Sequence, residues 1–193
     1  MNTFLKLKHW QIFGLIACTY LAYQVAGKTT TSVTWENTTT TVIYYSPLVI
    51  LFIAVLWGWL YSIGVSLTQK TPDTVKMNLT MFKWCMIFLL SFLLITHLSA
   101  YLGFYNSLFY KERLTWTTIF ILIPLTLFSL FCIVYCFYFN AKALKAAELQ
   151  SPVTFRDYAG EFCLFLLFPI GIWVIQPKLN EMFDKPRQVA EAL

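Results

Sequence analysis

Residues 42–67 read VIYYSPLVILFIAVLWGWLYSIGVSL and carry no charged side chain. A helix needs about 20 consecutive apolar residues to cross a hydrocarbon core about 30 Å thick, and this run exceeds that. Two further uncharged runs, 84–110 and 114–141, do the same. A fourth, 10–27, is near the minimum and holds Gln11 and Gln24. A fifth, 162–177, is short, with Pro169 and Gly171 at its centre. The fold class expected is all-α: a polytopic transmembrane helix bundle forming one integral membrane domain over 1–193. Its helices fall at about 10–27, 42–67, 84–110 and 114–149, followed by a broken segment at 155–176 and a polar tail at 177–193.

Composition points the same way. Hydrophobic residues make up 59% of the 193 residues and charged residues 12%, about half the roughly 25% charged share of soluble domains. Mean hydropathy is +0.65. Disorder is excluded, since it needs low hydrophobicity and high charge. With 14 basic and 9 acidic residues, a soluble globular enzyme could not cover this much apolar surface. The net charge of +5 comes without any basic block, so no nucleic-acid partner is expected. The expected partners are the lipid bilayer and either another membrane protein or a second copy of the chain. Cys18, Cys85, Cys132, Cys136 and Cys163 all lie in apolar stretches with no CxxC, and read as buried small hydrophobes.

The basic residues set the orientation. With four spans and a fifth segment that dips in and returns, one side holds Lys6, Lys8, Lys70, Lys76, Lys83, Lys142, Lys145, Arg156, Lys178, Lys185 and Arg187. The other side holds Lys28, Lys111 and Arg113. That 11-to-3 split is a positive-inside pattern with both termini cytoplasmic. If the fifth segment crosses fully, the split becomes 8 to 6 and carries little information. Charge therefore favours a re-entrant or interfacial segment over the five-span alternative. At the N-terminus, Lys6 and Lys8 before an apolar run, and Leu15-Ile16-Ala17-Cys18, have the form of a signal peptide with a lipoprotein box. The chain stays apolar through Val25, so an uncleaved first helix is expected.

The connecting segments are polar. Residues 28–41 are Thr-rich, which suits an extended loop or small hairpin. Thr71-Pro72-Asp73 is a turn signal. Ser151-Pro152 should stop the helix that passes through Lys142, Lys145 and Glu148. Thr154 with Asp157 is a capping-box-like start for a new helix.

Three sets of residues are candidates for a site. Ala54, Gly58, Ser62 and Ser66 put small side chains on one helix face, where helix backbones approach closely in lipid. His97, Tyr101 and Tyr105 share a face of the next helix, and ionisable groups at membrane depth often mark pathways. No Asp, Glu, Lys or Arg lies in the same run to pair with His97. Pro169 and Gly171 mark a helix break, because Pro169 lacks an N–H and clashes with the preceding turn. Broken helices at membrane depth can expose backbone groups to a substrate. Cys132 and Cys136 are one turn apart, but zinc wants four N or S ligands, so no metal is expected.

A resemblance is carried by the C-terminal region: Ala141-Lys142-Ala143-Leu144, Glu148-Leu149, Val153-Thr154-Phe155, Asp157-Tyr158, Gly160-Glu161-Phe162, and Phe168-Pro169-Ile170-Gly171-Ile172-Trp173 with Gln176-Pro177-Lys178. It resembles the end of small, uncharacterised bacterial multi-pass membrane proteins. The resemblance implies a bacterial inner membrane location and no activity.

The chain shows no nucleotide loop, zinc-protease motif or nucleophile elbow, and no catalytic residue or cofactor is assigned. The reading is a non-catalytic multi-pass membrane protein acting through partner proteins. The alternative is a small carrier or channel-like protein using the broken C-terminal helix and the His97 face.

Overall fold

The structure is a computed structural model that describes residues 5, 7–26, 29–35, 38–44, 47–101 and 116–184. Six long helices and one hairpin make up the described chain. They are α1 (His9–Ala26), β1 (Thr29–Trp35), β2 (Thr38–Tyr44), α2 (Pro47–Thr68), α3 (Leu79–Tyr101), α4 (Trp116–Leu149), α5 (Phe155–Leu166) and α6 (Phe168–Asp184).

β1 and β2 pair antiparallel with Thr29 opposite Tyr44 and Trp35 opposite Thr38. The Thr-rich linker is therefore a hairpin, as its β-branched composition implies. Strand β2 runs to Tyr44, which moves the start of the second helix from 42 to Pro47. Proline suits that first position, where its missing N–H has no intrahelical partner to lose. Because Thr29 faces Tyr44, the C-terminal end of α1 adjoins the N-terminal end of α2, and the two helices pack against each other.

α2 is the centre of the bundle, packed against α1, α3 and α4. α5 packs on α4, and α6 on α5 and α1. The core joins Ile12 and Ile16 of α1, Trp59, Ile63 and Leu67 of α2, Phe82 and Leu89 of α3, Phe139 and Leu144 of α4, and Ile172, Ile175 and Leu179 of α6. Phe82 stacks on Phe139 with ring centroids 4.4 Å apart. α2 approaches its neighbours closely at Gly64. A Cβ there would lie 2.5 Å from Phe82 Cζ and 2.8 Å from Asn140 Oδ1.

α3 begins five residues earlier than its uncharged run, at Leu79 and not 84. Asn78 explains this: its side-chain oxygen accepts the Met81 N–H at 2.9 Å, and its carbonyl accepts the Phe82 N–H at 3.1 Å. A cap fixes a helix start more firmly than the first charge does. α4 continues through Pro124 and ends at Leu149. Its 34 residues make about 51 Å at 1.5 Å each, well beyond a hydrocarbon core. Gln150 follows in the left-handed region at φ 50°. Its side-chain amide donates to the carbonyls of Ala147 at 2.7 Å and Lys70 at 3.0 Å.

Among the described residues, three helices are long and apolar enough to cross a membrane, over Ile50–Thr68, Leu79–Thr96 and Phe120–Leu149. That is one fewer than the four expected. α1 is not among those three. The α2 window is 50% buried, against 22% for α3 and 17% for α4. α3 and α4 thus turn large apolar faces outward, with Trp84 67% exposed and Phe120 73%.

Candidate functional site

The chemistry of the described chain concentrates at the C-terminal helix pair. α5 starts where Asp157 reaches back: its Oδ2 accepts the Thr154 backbone N–H at 2.7 Å and the Thr154 hydroxyl at 2.8 Å. Those two bonds, the backbone one first, hold the Asp157 carboxyl below its ordinary value. α5 ends at Leu166, and Leu167 forms the joint, its N–H donating to the Cys163 carbonyl at 2.8 Å. The Leu167 carbonyl then accepts the N–H groups of Ile170 at 2.9 Å and Gly171 at 3.0 Å, which opens α6.

Pro169 therefore starts a helix and does not interrupt one. It sits in the first turn of α6, where no intrahelical donor is required. Gly171 permits the close return after the joint, because a Cβ there would stand 2.0 Å from the Leu164 carbonyl oxygen. Pro169→Ala is accordingly expected to keep the break and to change stability by less than about 1 kcal/mol, measured as a thermal melt in detergent. A large loss would return the bend to proline. Pro177, read from the sequence as the start of the polar tail, lies inside α6, which continues to Asp184.

α6 folds back along α5. Lys178 Nζ donates to Glu161 Oε1 at 3.1 Å. Lys145 of α4 lies 3.6 Å from the same oxygen and 3.0 Å from Glu148 Oε2. Glu148 is also 3.9 Å from Lys178. Glu161 is 7% exposed, so a carboxylate does enter the bundle. Burial raises its pKa, but the hydrogen-bonded Lys178 ammonium, with Lys145 beside it, outweighs burial and holds the carboxyl below its ordinary value.

A second buried cluster centres on Gln176, which has no exposed surface. Trp59 Nε1–H donates to Gln176 Oε1 at 2.9 Å, and Gln176 Nε2 donates to the Leu7 carbonyl at 2.8 Å and to Asn180 Oδ1 at 3.1 Å. Phe165 and Phe168, flanking the joint, lie 6.1 Å and 5.7 Å from the Trp59 ring. Further along α6, Lys70 of the α2–α3 connection donates to the Met182 carbonyl and sits 3.9 Å from the Phe183 ring centroid. Asn140, also fully buried, has neither side-chain polar atom hydrogen-bonded within the described residues.

The sequence candidates fare unequally. On the small-residue face, Ser62 and Ser66 are buried, Gly58 is half-buried and Ala54 is exposed. The seam is closed only over its C-terminal half. His97 and Tyr101 fall in the last turns of α3, but their side chains, and Tyr105 altogether, lie outside the described residues. Cys85, Cys132 and Cys136 are buried, whereas Cys18 and Cys163 are exposed, contrary to the expectation for all five. Among the described residues, no group of three or more potential ligands is placed to hold a metal. A cavity of about 650 Å³ opens at the α2–α3 connection, lined by residues that include Thr68, Asp73, Lys76 and Asn78.

No family model, curated protein or solved structure matches the chain.

Proposed function

We propose that the chain is a multi-pass protein of a bacterial inner membrane, with α1 to α4 as spans and α5–α6 as a re-entrant helical hairpin, both termini cytoplasmic. We take it to be a non-catalytic component that acts through partner proteins. One observation carries this topology. Around the joint the outward surface is apolar, with Leu166, Leu167, Ile170, Trp173 and Val174 exposed, while the exposed charges Arg156 and Asp157 stand at the start of α5 and Glu161 is turned inward onto Lys178. A hairpin with a greasy tip and a charged base matches a bilayer entered from one side. The return of Lys178 to Glu161 argues against the five-span alternative, since a helix that crosses does not come back. α1 is not one of the three membrane-length helices, but it packs along α2 and runs opposite to it. Support for a partner-dependent role is that the ionisable groups at this site bind one another and hold the hairpin.

The basic residues test the topology. A reporter that is active only in the cytoplasm, fused after Leu193, is expected to be active. Cysteines at Lys83 and Lys142 should be protected from an impermeant maleimide added to intact cells, and one at Lys111 labelled. An external C-terminus would sink the re-entrant reading. The role is tested by whether the solubilised protein co-purifies with another membrane protein or a second copy. Glu161, a buried carboxylate near a helix break, favours a second reading as a small carrier. Solute movement in proteoliposomes of the purified chain alone would select it.

A further inference from the structure

We infer that the outward aromatic face of α4, beside α3, binds an anionic phospholipid, headgroup at Lys76 and Lys142, acyl chain along an aromatic track. The inference rests on the membrane orientation proposed above. Lys142 Nζ reaches the Lys76 carbonyl at 3.4 Å and stands 6.0 Å from the Tyr138 ring centroid. This brings two ammonium-bearing residues of α4 and the α2–α3 connection to one place. Lys76 is exposed, and Asp73 is the one carboxylate of that connection.

The track begins below them. Tyr138, Tyr135, Phe131 and Phe128 lie on one face of α4 at spacings of three and four. Neighbouring rings are 6.1, 6.2 and 6.2 Å apart. The Tyr135 hydroxyl points back to the Asn78 carbonyl at 3.5 Å, toward the connection. Phe128 and Phe131 are about half exposed. From Lys142 to Phe128 the face thus changes over fourteen residues, about 21 Å, from cationic to phenolic to purely apolar. A free phosphate or an acidic peptide would use the head alone. A lipid with an anionic head and an acyl tail uses both ends. Lysines beside a membrane attract anionic lipids by about fivefold each, and aromatic rings at the headgroup level tolerate both surroundings.

The test is native mass spectrometry of the full chain in mild detergent, offered equal phosphatidylglycerol and phosphatidylcholine with identical acyl chains. Wild type is expected to retain phosphatidylglycerol preferentially. K76Q/K142Q is expected to lose at least about tenfold of that preference. F131A is expected to weaken both lipids while leaving the preference. Equal retention of the two lipids by wild type, or an unchanged preference in K76Q/K142Q, would overturn the inference. Labelling of K142C from outside the cell would instead overturn the orientation and the lipid site with it. Correct orientation without preference removes the lipid site alone.

Discussion

Gly171→Ala is expected to be the most damaging single-methyl change in the chain. The added carbon would stand 2.0 Å from the Leu164 carbonyl oxygen and 2.8 Å from the Leu164 carbonyl carbon. Both are backbone atoms in the last turn of α5, so no side chain can rotate aside. The joint must open, which moves Ile172 and Ile175 out of the core and strains the bond from Trp59 to Gln176. Overpacking of this kind costs about 1–3 kcal/mol where side chains can yield, and the rigid neighbour places this site at about 3 kcal/mol or above. The measurement is the melting midpoint of the detergent-solubilised protein, with Gly160→Ala as control. Nothing lies within 4 Å of a Cβ at Gly160, and alanine there suits the interior of α5. Equal midpoints for the two variants would contradict the close approach at Gly171.

Glu161→Gln is expected to follow closely. The amide keeps the shape but removes the nearer carboxylate from Lys178, leaving it Glu148 at 3.9 Å, while Lys145 keeps Glu148 at 3.0 Å. Removing one partner of a fully buried pair costs about 3–5 kcal/mol. Here the lysine side chains are 36% and 20% exposed and regain some hydration, so a loss of about 2 kcal/mol is expected. The effect has a pH signature. The Glu161 carboxyl is depressed in the folded chain, so its contribution is complete above the unfolded value of about 4.3. It is lost as pH falls through that value and the lower folded one. The stability difference between wild type and E161Q should therefore be constant from pH 7 to about 5 and close on further acidification. Asp157, depressed as well, is present in both proteins and cancels. A difference that persists unchanged to pH 3 would show that charge pairing is not what Glu161 contributes.

The apolar runs made the main helices legible. α4 begins at Trp116 and ends at Leu149, against 114–149 read from charge and from Ser151-Pro152. The start of α3 was hidden because Lys83 looked like a boundary, whereas Asn78 does the capping. The C-terminal break was legible as a place, through Pro169 and Gly171, but the close approach at Gly171 was not. Proline announces itself in sequence, while a glycine's need for space depends on the carbonyl that faces it. Glu161 was passed over because its neighbours Arg156 and Asp157 make the segment look like a solvated approach. Only folding brings Lys145 and Lys178 to it from other helices. Gly64 was missed for a similar reason. The visible stripe of small residues at Ala54, Gly58, Ser62 and Ser66 drew attention to the adjoining face, and nothing local marks Phe82 and Asn140 as its neighbours.

The bond from Gln176 to the Leu7 carbonyl joins positions 169 residues apart. It sets an order of events during synthesis. α1 to α4 leave the ribosome and pair with their neighbours long before α6 exists. Until α6 arrives, the Leu7 carbonyl, the Trp59 indole N–H and the apolar side chains that α6 covers have only temporary neighbours. This core is therefore sealed last, by α6, the last of the described helices, which ties itself to the residues that lead into α1. A ribosome stalled before codon 168 would leave an inserted but unlatched intermediate, the form most open to membrane proteases and to misassembly with other chains.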